Sequence, residues 1–169
     1  GGIELALANF AQARLALTES AARFAEVQQR DEQAIALGIL AAALCQLQRH
    51  AEAIACVQQA LALALTVNAF APLLFSLASY ALILAEEGEI AQALEIHALI
   101  AQHPYLKNSC WRQDCFSRYI EPRAATLSAE EKAAASTRGM AGDIQATATA
   151  VLTTLTIREK AAKPIRQDL

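Results

Sequence analysis

His97, His103, Cys110 and Cys115 place four side chains able to ligate a soft metal close together in one stretch of the chain. Structural zinc sites draw on such sets. The spacing speaks against one here. Cys110 and Cys115 stand five residues apart, which on one helix turns them about 140° from each other at 3.6 residues per turn. Ligands sharing a helix usually stand three or four apart, so no metal site is expected. Cys45 and Cys56 fall on two consecutive helical stretches and read as small apolar thiols packed in a helix interface. Glu86, Glu87 and Glu89 cluster at a turn, where carboxylates stay solvated, whereas general acid chemistry needs a desolvated one. The sequence holds no glycine-rich phosphate loop, serine elbow or zinc-protease pattern. Neither catalysis nor a cofactor is expected. One aromatic and basic concentration remains, formed by Trp111, Arg112, Arg118, Tyr119 and Arg123. Its aromatics are expected to pack a final hairpin, while Arg112 and Arg118 are candidates for a polar contact with a partner.

The elements that position these groups read as helices throughout. Ala is the commonest of the 169 residues, with 6 Gly and 4 Pro among them. Ala favours the helix most strongly and lets neighbouring helices approach closely. A net charge of -3 gives no electrostatic footprint for nucleic acid or anionic lipid. Charges at Arg14, Glu19, Arg30, Glu52 and Glu86 to Glu89 interrupt the apolar stretches, so the chain reads as soluble and not membrane-spanning. No basic segment leading into an apolar run opens it, and a cytoplasmic location with reduced thiols is expected.

Self-similarity organises the chain. Gly1, Ala6, Phe10 and Ala13 set a turn residue, a small residue, a large one and another small one at fixed offsets. The offsets recur at Gln48, Ala53, Val57 and Ala60, at Gly88, Ala93, His97 and Ile100, and more weakly at Ser128, Ala133, Thr137 and Met140. Each unit reads as an antiparallel helical hairpin whose helices touch at the small residue. Ile35, Leu37, Leu40, Leu44 and Leu47 mark one first helix, and Leu73, Leu77, Tyr80 and Leu84 the next. Their partners run from about Ala51 to Thr66 and from Ile90 to Gln102, with breaks at Asn68 and at His103-Pro104.

The expected organisation is therefore a single all-α domain. Residues 1–29 are the second helix of a truncated repeat, 31–67 and 70–102 are full repeats, 109–140 is a degenerate repeat, and 143–163 is a capping helix. Asn108 or Ser109 starts a helix through Arg123, with Pro122 marking a kink or end, and Ser128 with Glu131 forms a capping box. Gly139 and Gly142 end that helix, and Asp143 opens the last one, stopped by Pro164 before a fraying tail, Ile165 to Leu169.

The pattern from Gly1 to Gln102 resembles tetratricopeptide repeats in their longer form, although it lacks the aromatic usual early in the first helix. The stretch from Gln92 through Trp111 to Leu127, followed by Arg138 to Gly142, is similar to the C-terminal end of large bacterial signal-transduction ATPases of the STAND type, often LuxR-like transcription regulators. That resemblance implies an α-solenoid, a right-handed superhelix of hairpins. It also implies a sensor or protein-interaction role, with ATP handled by a module outside this stretch. The alternative is a structural oligomerisation scaffold with no exchangeable ligand.

First helices of such hairpins line a concave face. The resemblance therefore assigns a partner-binding groove to Ile35, Gly38, Ala42, Cys45 and Gln46 in one unit and to Phe75, Ala78, Leu82, Ala85 and Glu86 in the next. An apolar groove suits a partner helix or apolar protein segment better than a charged tail. The chain's own last helix, Asp143 to Ala162, is a competing occupant. Leu5, Phe10, Leu15 and Leu17 are expected to leave an apolar face at the N-terminus that a second copy can cover.

Overall fold

The computed structural model describes residues 1–162 and contains no strand among them. Its helices are α1 (Gly2–Ala6), α2 (Phe10–Glu26), α3 (Arg30–Gln46), α4 (His50–Val67), α5 (Phe70–Glu87) and α6 (Ile90–Ala101). An irregular run follows, made of α7 (Cys110–Arg112), a π-helical turn (Gln113–Ser117), α8 (Arg118–Arg123) and a 3-10 turn (Ala124–Thr126). The chain then forms α9 (Ala129–Ala141) and α10 (Ile144–Ala162). The expected stop at Pro164 and the tail from Ile165 lie outside the described residues.

The first five helices share one way of ending. A residue in the left-handed region stands at every twentieth position, Ala8, Gln28, Gln48, Asn68 and Gly88. The amide that follows each one donates to the carbonyl five residues back, from Asn9 to Glu4, Gln29 to Phe24, Arg49 to Leu44, Ala69 to Ala64 and Glu89 to Leu84, all at 2.8–3.0 Å. This bond answers carbonyls that the last turn of a helix leaves unpaired. Four of the five positions carry a side chain in a conformation that costs an L-residue about 1–2 kcal/mol, so the surrounding packing holds the turns.

The turn at Ala8 corrects the reading of the first repeat. Residues 2–29 are two helices, not one, and the residue equivalent to Ala53 and Ala93 is Ala13, with all three fully buried. The spacing is therefore forty residues from Ala13 to Ala53 to Ala93, and not the 47 that separate Ala6 from Ala53 in the sequence reading. The fourth copy fails in the other direction. Ala133 and Met140 are exposed, and Ala135 and Gly139 face inward instead.

Helices α1, α3 and α5 pack side by side in one layer, while α2, α4 and α6 form the other, each against its odd-numbered neighbours. Small residues set the distance in the first layer. A Cβ on Gly38 of α3 would stand 3.0 Å from Ser76 Oγ and 3.1 Å from the Ser76 amide, and Ser79 Oγ donates to the Gly38 carbonyl at 2.6 Å. Every residue of α5 from Pro72 to Ala85 is buried, which explains its apolar character all round. Helices α4 and α5 are long and apolar enough to cross a membrane by length and composition, although Glu52 falls in the first and Glu86 and Glu87 in the second. For α5 the reason is its place in the core, where 78% of that stretch is buried, against 28% for α4.

Helix α9 lies along α6, and α10 returns over α4 and α5. Gly139 is a crossing point inside α9 and not its end, because an added Cβ would lie 2.1 Å from the Glu95 carbonyl oxygen. The helix stops at Gly142. The capping box at Ser128 and Glu131 forms as the sequence indicates. Of the four N-terminal apolar residues expected to form that face, Leu5 and Leu17 are buried and Phe10 packs edge-on against Tyr119, while Leu15 is exposed, as are Ile3 and Leu7 nearby.

Candidate functional site

The residues assigned to the groove do lie on the α3/α5 layer, but most of them are closed to a partner. Ala42, Cys45, Ala78 and Leu82 are fully buried, and Gly38 and Ala85 are buried with them. Ile35 and Gln46 are half-buried, and the Gln46 Nε2 is shielded with no hydrogen-bond partner among the described residues. Glu86 is held by an ion pair with Arg123.

The run from residue 103 to 126 is packed against this layer. Its helix begins at Cys110, in register with the starts at Arg30 and Phe70, so it stands where the next first-layer helix is due. It does not pack as α3 packs on α5. The π turn and α8 lean on α5, and the π turn also touches α1. Phe116 and Ile120 insert as fully buried anchors. Trp111 Nε1 donates to the Gly2 carbonyl at 3.0 Å, bringing together parts of the chain far apart in sequence. The competing occupant is therefore this run and not α10, which packs on α4 and α5 from its own side.

A buried polar cluster pins the run to α6. Arg112 Nη1 donates to Ser117 Oγ at 2.6 Å and approaches His97 Nε2 at 3.3 Å, and Ser117 Oγ lies 2.9 Å from that same nitrogen. A guanidinium only donates, so His97 Nε2 is the acceptor and its proton sits on Nδ1. Burial, with the Arg112 charge beside it, lowers the His97 pKa to about 4. Arg112 Nε also donates to the Leu106 carbonyl at 3.1 Å. Arg112 is thus spent inside the fold and not offered to a partner, whereas Arg118 stacks over the Tyr119 ring at 4.8 Å on the surface.

Three of the four cysteine thiols are wholly or partly shielded, while Cys110 is exposed. Burial pushes the Cys45 and Cys115 thiols up to about 12 and Cys56 up to about 11, with Glu86 adding to the rise at Cys45 and Asp114 at Cys115. Thiols so raised carry almost no thiolate at neutral pH. All four cysteines are free. Ser117 touches a neutral histidine but is itself fully buried. Among the described residues no three His, Cys, Asp or Glu side chains converge as metal ligands.

What stays open is a basin of about 590 Å³ between the first layer and the residue 103–126 run. Its apolar lining is Ile3, Ile39, Phe75, Tyr105, Leu106 and Trp111. Tyr105 and Trp111 both stand edge-on to Phe75, with ring centroids at 6.1 and 5.4 Å, and Trp111 is edge-on to Phe116 at 5.4 Å. Tyr105 and Ile3 remain 61% and 76% exposed, so the basin keeps accessible apolar surface. Of these residues the groove reading named only Phe75. Tyr105 and Trp111 flank the Asn108-Ser109 helix start, and their pairing across it was the available sequence signal. A narrower slot of about 260 Å³ opens on the other side of Gly1 and Gly2, walled by Leu17 and Phe24 of α2 and Ile35, Ala36 and Ile39 of α3.

No family model matches the chain, and neither a curated protein nor a solved structure matches it.

Proposed function

We propose that this chain is a non-catalytic protein-binding module of tetratricopeptide type, whose ligand is an apolar segment of a partner protein seated in the aromatic basin. The observation that carries this reading is the basin itself. It is concave, within the size range of ligand sites, and lined by Phe75, Tyr105 and Trp111, the residue types that dominate binding hot spots. The regular forty-residue hairpin spacing supports the repeat assignment. The raised pKa values of Cys45, Cys56 and Cys115 and the neutral His97 accord with a role that needs no chemistry.

On the same reading the module works in the cytoplasm as the sensor part of a larger ATP-dependent bacterial regulator, as its resemblance to the C-terminal region of STAND-type proteins implies. A second reading, a purely structural oligomerisation scaffold, draws on the burial of Ala42, Cys45, Ala78 and Leu82.

The test exploits Trp111, the only tryptophan in the chain. Partners captured from a native lysate are identified, purified and titrated against the chain and against Ile3→Glu and Tyr105→Glu, which alter exposed residues and leave the core intact. A true partner shifts Trp111 fluorescence and loses at least about tenfold in affinity for both variants, the scale of a lost hot-spot contact. Equal binding to all three proteins sinks the basin reading. Capture of nothing but further copies of the chain supports the scaffold.

A further inference from the structure

A cleft of about 340 Å³ opens between α2 and α4 and shares no lining residue with the aromatic basin. Its apolar lining is Leu40, Leu44, Ala55 and Cys56, and its polar lining is Arg14, Thr18, Arg49 and Glu52. Arg49 and Glu52 answer each other, Nε donating to Oε1 at 2.6 Å and Nη2 to Oε2 at 2.7 Å. Arg14 has no such partner. It is half-buried, yet among the described residues it makes no ion pair or hydrogen bond. The first glutamate after it on α2, Glu19, is held by Arg23 at 2.6 Å.

Thr18 stands one turn beyond Arg14 on the same face of α2. Its hydroxyl is also unused among the described residues, although that of Ser20 bonds back to the Ala16 carbonyl at 2.8 Å. Two guanidiniums against one carboxylate leave the cleft a single positive charge, with free donors beside apolar surface. Burial pushes the Cys56 thiol up to about 11, with Glu52 adding to the rise, so part of this lining is poorly solvated. An ion pair made there is screened less than one on open surface.

The repeat does not itself require a cation at this place. Forty residues on, the positions of Arg14 and Thr18 hold Ile54 and Gln58, and those of Leu40 and Leu44 hold Tyr80 and Leu84. There α10 packs on α4 and α5, and its Leu152 and Leu155 share a cavity with Ile54 and Gln58. The later groove is covered by the chain's own apolar helix face, whereas the earlier one is open and cationic.

We propose that this cleft binds a small organic acid, its carboxylate accepting from the Arg14 guanidinium and the Thr18 hydroxyl and its apolar body lying along Leu40, Leu44 and Ala55. A guanidinium and a carboxylate match in shape as well as charge. The carboxylate also matches the single positive charge, where a phosphate monoester brings nearly two negative ones. A volume near the lower end of the range for ligand sites suits a small molecule better than a protein segment. The site stands apart from the basin and from whatever the basin binds.

The experiment titrates hexanoate into the full chain and follows methyl and amide shifts by NMR. Hexanamide, inorganic phosphate and a capped tripeptide with a central glutamate serve as comparisons. Hexanoate should give saturating shifts at Leu40, Leu44 and Ala55 and leave the Trp111 indole unmoved. Hexanamide keeps the apolar body without the charge and should bind at least about tenfold more weakly, the scale of a charge-assisted hydrogen bond. Phosphate and the peptide should also bind more weakly than hexanoate. Arg14→Gln should lose about as much for hexanoate as the amide does, leave hexanamide binding as it was, and keep the original Tm. Arg14→Lys should restore part of the loss.

The absence of a saturating shift at any soluble concentration of hexanoate overturns the proposal. So does equal binding of hexanoate and hexanamide, or hexanoate binding that survives Arg14→Gln. Phosphate or the peptide binding as tightly as hexanoate also overturns it, since the cleft then serves a phosphoryl group or a protein side chain. Shifts centred on Trp111 assign the acid to the basin and overturn it equally.

Discussion

The run from α2 to α6 and the run from residue 103 to 126 start from the same register and end in different structures. In the first, a helix begins at Phe10, Arg30, His50, Phe70 and Ile90, and the first four of these close by the same turn. The second begins on schedule at Cys110, then passes through a π turn, a short helix containing Pro122 and a 3-10 turn. Side-chain size separates them. Where α3 and α5 meet, the contact residues are Gly38, Ser76 and Ser79, and the backbones approach closely. The corresponding part of the later run carries Trp111, Phe116 and Tyr119, which cannot fit at that distance. It packs on those rings instead and reaches across to Gly2. Small residues propagate a repeat, and large ones close it.

The largest effect that breaks this comparison is expected from Phe116→Ala. Removing a ring that is 1% exposed should cost about 4 kcal/mol in chemical denaturation. The near-ultraviolet signal of Trp111 should collapse with it, because Phe116 is its edge-on neighbour. If the change costs under about 1 kcal/mol, the irregular run is not anchored by its aromatics.

Acid should loosen the same run next. Folded His97 takes up its proton only near pH 4, against about 6.5 for an exposed histidine, so between these values the unfolded chain binds more protons. This contribution is complete above pH 6.5 and is lost as pH falls through the window toward 4. Its size is on the order of 3 kcal/mol. Denaturant midpoints measured across that range should show the loss, and His97→Gln should flatten it. A slope unchanged in the variant would move the acid sensitivity elsewhere.

The smallest effect sharpens the regular half. Gln28→Gly and Gln48→Gly relieve side chains held at φ of 58° and 60°. Each should gain about 0.5 kcal/mol, the relief of left-handed strain less the added backbone entropy of glycine. The check is thermal melting of the two single variants and the double, whose gains should add. A loss in either would mean that the glutamine side chain contributes more than its strained backbone costs.

Much of the regular half was legible from residue type. Ala53 and Ala93 mark hairpin contacts because only a small side chain fits there, and both are fully buried. Ser128 and Glu131 announce a helix start because each answers a free amide of the other's turn. The turn at Ala8 was hidden, since alanine has no preference for a positive φ and only the packing of α1 and α2 imposes it. Gly139 read as a stop because a glycine that ends a helix and one that lets two helices cross look alike without the neighbour, here Glu95.

The same distinction runs through the candidate site. The sequence by itself determined that the chain is helical and where most helices begin, because these follow from local propensity and period, and the resemblance to tetratricopeptide repeats implied that Ala42, Cys45, Ala78 and Leu82 share one layer. Only the tertiary structure decided that this layer is closed by the chain's own residues 103–126, leaving the Phe75, Tyr105 and Trp111 basin as its open part. That outcome depends on the volumes of Trp111 and Phe116 against the gap set by Gly38 and Ser76, a fit between residues distant in the chain that no local pattern encodes.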